Sequence, residues 1–151
     1  MSEPRAATMA DAILAQMDAA TWEEAFDAER AYLERVLKTE AEKTRITAMI
    51  VSTERKNVTR GKRQLTHTIS LGIRKNINPE NVDAVDAMGN FAETIADYWD
   101  ADTGGGRKVV SNTSGSVANV VHDPLYSPSD LDQNRQFFSV VTLTVIEVVN
   151  L

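Results

Sequence analysis

Apolar and polar positions alternate most cleanly between residues 65 and 74. Leu65, His67, Ile69, Leu71 and Ile73 face one way, and Thr66, Thr68, Ser70, Gly72 and Arg74 the other. A period of two predicts a strand with one buried face. Residues 45–52 (RITAMIVS) predict a second strand, with Ile46, Ala48 and Ile50 on one side and Met49 and Val51 on the other. A polar, basic connection over residues 53–63 joins the two into a long antiparallel hairpin. Near the end of the chain, Pro124 and Pro128 mark a turn, residues 129–135 are a short polar segment, and a β-type run continues to residue 151. In that run Phe137, Val141, Leu143, Val145 and Val149 share one face and Phe138, Val140, Ile146 and Val148 the other. Apolar residues on both faces predict a strand covered on both sides, with the C-terminus tied into the core.

Helical spacing is found twice. Met9, Ala12, Ile13, Gln16, Met17 and Ala20 predict a packing helix over residues 9–19, with Thr8 and Asp11 read as a capping box. Asn78-Pro79-Glu80 reads as a second helix start, followed by a stripe of Val82, Val85, Met88, Gly89, Ala92, Ile95, Ala96 and Trp99. Gly89 in that stripe suggests a close approach to the sheet. Residues 22–37 suit either a helix or a strand, their Ala and Glu content favouring the helix. Residues 100–106 contain a glycine triplet and read as a flexible connection. Two short strands, 108–110 and 117–121, flank a turn at 111–116. The order implies an α+β fold: a mostly antiparallel sheet with two main helices packed against it, in a single domain over residues 1–151, with no internal repeat.

Composition narrows the function classes. The chain has 151 residues, 42% of them hydrophobic and 25% charged, which suits a globular domain with a real core. Sixteen Lys and Arg against 22 Asp and Glu give a net charge of -6, the wrong sign for a general nucleic-acid coat. With no cysteine there is no thiolate metal site and no thiol nucleophile. The N-terminal residues do not read as a signal peptide, and no apolar run reaches the roughly 18–20 residues that span a bilayer. A soluble protein from a reducing or disulfide-indifferent compartment is expected, with no membrane association.

Candidate chemistry is sparse. His67 lies on an apolar strand face, where a hydrogen-bonded packing role is favoured over a ligand role. His122 precedes Asp123-Pro124 and serves the turn. No spacing suggests a metal site, and nothing resembles a nucleophile elbow. Gly104-Gly105-Gly106-Arg107-Lys108 lacks the spacing of a phosphate-binding loop. Glu23-Glu24 and Asp97/Asp100 read as solvated helix surface. The expectation is a non-enzyme with no cofactor and no metal. One cluster has character: Arg55, Lys56, Arg60, Lys62 and Arg63 in the hairpin connection, opposed only by Glu54. It reads either as a contact with phosphates or an acidic protein surface, or as a loop whose charges keep the hairpin solvated. No aromatics interleave with it, so base stacking is not supported.

Together these segments resemble the tail terminator proteins of long-tailed bacteriophages. The resemblance runs through MADAILAQM, AFDAERAYLERV, TRITAMIVS, the RGKRQ loop leading into THTISLGIRK, PENVDAVDAMGNFAETIADYW and DPLYSPSDLDQNRQFFSVVTLTVIEV. It covers nearly the whole chain, and its specificity lies mostly in RGKRQ with its strand and in DPLYSP…RQFFSVVTLT. It implies an extended strand over residues 26–36, so the ambiguous stretch is expected to be a strand against its propensity. It also implies a virion protein at the head–tail junction, assembled in the bacterial cytoplasm. Such a protein forms a ring, commonly a hexamer, on the last ring of the tail tube. The ring stops tube polymerisation and presents a surface to the head connector. An acidic lumen would let DNA pass without specific binding. Alternatives are another head–tail connector or completion protein, a DNA-binding phage protein using residues 55–63, and an unrelated host interaction domain.

Overall fold

A computed structural model describes residues 3–33, 43–100 and 107–150. Among the described residues a single sheet is built from β1 (Phe26–Arg30), β2 (Thr44–Thr59), β3 (Lys62–Asn76), β4 (Lys108–Val109), β5 (Ser116–His122) and β6 (Gln136–Asn150). The strand order is β1-β2-β3-β6-β5-β4, with β1 parallel to β2 and every other pair antiparallel. Helices α1 (Arg5–Ala19) and α2 (Val82–Asp100) lie on the same face and close one core. The fold is α+β, with a mostly antiparallel sheet and two main helices.

The core follows from the alternation. Leu65, His67, Ile69, Leu71 and Ile73 of β3 are all buried, as are Phe137, Val141, Leu143 and Val145 of β6. Ile46 and Ala48 of β2 continue that face, and Met9, Ile13 and Met17 of α1 with Met88, Ile95 and Trp99 of α2 cover it. The central pair is β3 with β6, in register from Lys62–Asn150 to Asn76–Gln136.

The 26–36 expectation holds for Phe26–Arg30, which is a strand, while residues 31–33 are not, and 34–37 lie outside the described residues. Tertiary partners outweigh helix propensity here. Phe26 turns inward, 5.9 Å from the Phe91 ring, beside Trp22, which stacks edge-on against Tyr98 at 5.2 Å. On the other face Asp27 and Glu29 meet cations carried by the next strand or just before it, Lys43 at 3.3 Å and Arg45 at 3.8 Å. Glu24 is not helix surface as expected. It accepts from Lys75 Nζ at 2.7 Å and Thr44 Oγ1 at 2.8 Å, pinning the entry to β1.

Both helix starts differ from the sequence reading. α1 begins at Arg5, with Thr8 already inside it and its amide bonded to the Pro4 carbonyl at 3.1 Å, so Thr8 and Asp11 do not form a cap. The small residues Ala6 and Ala7 are buried against the rest of the chain, which carries the helix back toward Pro4. For α2, Asn78 closes a separate turn by accepting the Glu80 amide at 3.0 Å, and Asn81 provides the cap by accepting the Ala84 amide at 3.1 Å. Gly89 has nothing within 4 Å of where a Cβ would stand, so no close approach to the sheet requires it.

β6 is not covered on both sides. Its helix-facing residues are buried, but Phe138, Val140, Thr142, Thr144 and Ile146 are only half-buried and Val148 is 46% exposed. The C-terminal end of the strand, from Val148 to Asn150, therefore runs beyond the core. Among the described residues the reverse face is capped at the other end. There Arg74 reaches Asp130 at 3.3 Å, in the wide helical turn Asp130–Asn134, and lies 3.8 Å over the Phe138 ring.

Candidate functional site

The basic connection is not a loop. β2 runs on to Thr59 and β3 starts at Lys62, leaving Arg60 and Gly61 as the turn. Gly61 has a φ of +86°, a conformation that favours glycine. Polar residues hold strand geometry here because β6 pairs with β3 as far as Lys62, extending the sheet to the tip. Alternation then splits the cluster. Arg55, opposite Leu65, and Arg63, opposite Asn57, lie on the helix-bearing face, and Lys56, opposite Gln64, and Lys62 lie on the reverse. Arg60 sits in the turn. Together the five wrap a blunt, three-stranded end. Arg63 donates to Asn57 Oδ1 at 3.4 Å, and among the described residues none of the five pairs with a carboxylate. By contrast Arg5, Arg30, Lys43, Arg45, Arg74 and Lys75 each do.

Just inside this tip lies a buried polar chain. Thr53 Oγ1 is 2.9 Å from His67 Nδ1, His67 Nε2 is 2.9 Å from Glu147 Oε1, and Arg5 Nε donates to the same oxygen at 3.2 Å. The packing role expected for His67 is what its surroundings support, since it is fully buried and both ring nitrogens have partners. A hydroxyl, an imidazole and a carboxylate in line can activate a nucleophile. Here the carboxylate is also spoken for by a guanidinium, and the four groups join β2, β3, β6 and α1.

The second feature is a groove of about 680 Å³ between α2, β5 and the segment after β5. Asp86, Glu93, Asp97 and Asp100 line its α2 side and are all exposed. They recur on one face of the helix, and α2 contains no Lys or Arg. None of the four is ion-paired to a Lys or Arg among the described residues. The opposite rim is apolar, with Leu125 62% and Tyr126 49% exposed. His122 lies between. Its Nε2 is 2.6 Å from Ser139 Oγ, and that hydroxyl donates to the Pro124 carbonyl at 3.2 Å, so Nε2 carries the proton in this pair. Burial lowers the His122 pKa, and the nearby charge of Glu93 only partly offsets it.

Sequence reading singled out the five cations but not the groove. Its signal was present in the acids of α2 with no compensating base, yet acids on a helix also read as plain solvated surface. Gly104–Gly106 lie outside the described residues, and Lys108 packs 4.1 Å over the Tyr98 ring. Among the described residues no three His, Asp or Glu side chains converge as a metal site. No helix among them is long and apolar enough to cross a membrane. Neither the protein-family models nor the curated proteins searched contain a match to this chain.

Proposed function

We propose that the protein is a structural subunit of a long-tailed bacteriophage, a tail terminator that caps the tail tube at the head–tail junction. Six copies would form the ring, halt addition of tube subunits and offer the docking surface for the head connector. The role is mechanical: a ring bound to the end of an open polymer occupies the site that the next subunit needs. DNA would slide through the acidic ring without specific contact.

The observation that carries this reading is where the two most specific segments fall. RGKRQ with its strand and the RQFFSVVTLT ending form β3 and β6, paired residue by residue along their whole length. The elements that carry the resemblance are thus one structural unit and not scattered matches. The test is electron microscopy of particles from a deletion of the gene. Overlong or irregular tails without attached heads are the expected result. Normal-length free tails beside filled heads would shift the role to a connector, and intact virions would overturn the proposal.

A further inference from the structure

We infer that the cationic hairpin tip of one copy docks in the acidic groove of the next, so that copies assemble head to tail. The inference rests on the ring reading above and names the contact that would build the ring.

Three observations support it. The first is complementarity: five cations at the tip and four carboxylates in the groove all lack ionic partners within the described chain, although most other described cations are paired. Clustered like charges repel one another, and an opposite cluster on a partner relieves both and steers their encounter. The second is shape and chemistry. The groove presents Asp86, Glu93 and Asp97 against Tyr126, an acid wall facing an aromatic one, which suits the long apolar stems and charged heads of Arg and Lys.

The third is separation. Phe137 lines the groove, and Asn150 pairs with Lys62 at the tip, thirteen residues further along the same strand. Val120, also in the groove lining, pairs with Leu143, seven residues before Asn150. At about 3.3 Å per residue these groove residues stand roughly 23 to 43 Å along the sheet from the tip. The tip cannot reach its own groove, so the match can be made only between copies. Because the two patches differ, the contact is heterologous and propagates until it closes into a ring.

Two variants test this. One reverses the tip (Arg55→Glu, Lys56→Glu, Lys62→Glu) and the other the groove (Glu93→Lys, Asp97→Lys, Asp100→Lys). All six side chains are exposed, so folding should survive, which circular dichroism checks. In sedimentation velocity each variant alone should lose the assembled species, and an equimolar mixture should regain it, since a reversed tip fits a reversed groove. Assembly of either variant alone, or no assembly in the mixture, would overturn the docking. Where wild-type protein is monomeric in solution, tail length in phage decides. Each variant alone should give overlong tails, and co-expression of both should restore normal length. Normal tails with either variant alone would overturn the docking but leave the ring role standing. Only normal tails in the deletion would overturn the ring role itself.

Discussion

His67 and Glu147 meet at 2.9 Å in the interior, joining the two central strands where the covered part of the sheet gives way to the hairpin tip. The pair is completed by Thr53 on one side and Arg5 on the other. Glu147→Ala leaves the imidazole and the guanidinium without their acceptor, and an orphaned buried polar group costs about 1–3 kcal/mol. Glu147→Gln keeps an acceptor oxygen and should cost less. Urea unfolding of both variants checks this. Equal losses for Ala and Gln would mean that the carboxylate's charge, and not its volume or its acceptor oxygen, makes the contribution.

Gly115 is crowded by the end of the Met9 side chain and by Val145. A Cβ there would stand 2.5 Å from Met9 Cε, 2.9 Å from Met9 Sδ and 3.0 Å from Val145 Cγ1. Gly115→Ala should destabilise by about 1–3 kcal/mol, the usual cost of overpacking. Met9→Leu removes the terminal methyl that the new Cβ would strike, so the double variant should lose less than the sum of the singles. A thermal or urea double-mutant cycle measures that coupling. Strict additivity would show that Met9 already moves aside.

How much of this was legible in the sequence depends on whether a residue's partners are near it in the chain. The Leu65–Ile73 face was readable because a period of two needs no partner to be seen. Phe26–Arg30 was not readable from propensity: its strand geometry depends on Phe91 and Thr44–Ala48, and only the resemblance pointed to it. The tip was misread as a loop because polar, charged residues are poor strand formers unless a neighbour such as β6 pairs beside them. The open face of β6 misled in the opposite direction. Phe138, Val140 and Ile146 looked like a second buried face, and nothing in the local pattern distinguishes such a face from one left half-exposed. The candidate cations were legible by type, but their division between two faces required the register with β3.

Arg74 ties the segment before β6 to the sheet. Its guanidinium stacks on Phe138 at 3.8 Å and reaches Asp130 at 3.3 Å, and the Asp130 carboxylate also binds Asn134 at 3.0 Å. Arg74→Met keeps much of the apolar stem but removes both the charge and the planar stack. The expected outcome is local: faster proteolysis within residues 123–135 and a smaller change in global stability. Limited digestion with mass spectrometry reads the cut sites. Cleavage spread evenly over the chain would mean that Arg74 supports the whole fold and not this segment.

Stability should fall in two steps as the solution is acidified. Burial holds the His122 pKa below its ordinary 6.5, so the unfolded chain takes up a proton first. Its contribution is therefore complete above that value and is lost as the pH drops through the folded pKa. The carboxylates act lower. Burial alone would raise Glu24, but hydrogen bonds from Lys75 and Thr44 and the charge of Lys75 outweigh it and leave the pKa below 4.5. Burial of Asp130 is likewise outweighed by Ser127, Asn134 and Arg74, leaving it below 3.8. Both acids are depressed, so their contribution is present above the unfolded values and is lost only as the pH falls through the folded ones. Urea midpoints measured against pH should show both steps in the wild type. His122→Gln should remove the first and keep the second, and Glu24→Gln should weaken only the second. An unchanged first step in His122→Gln would show that a group other than His122 produces it.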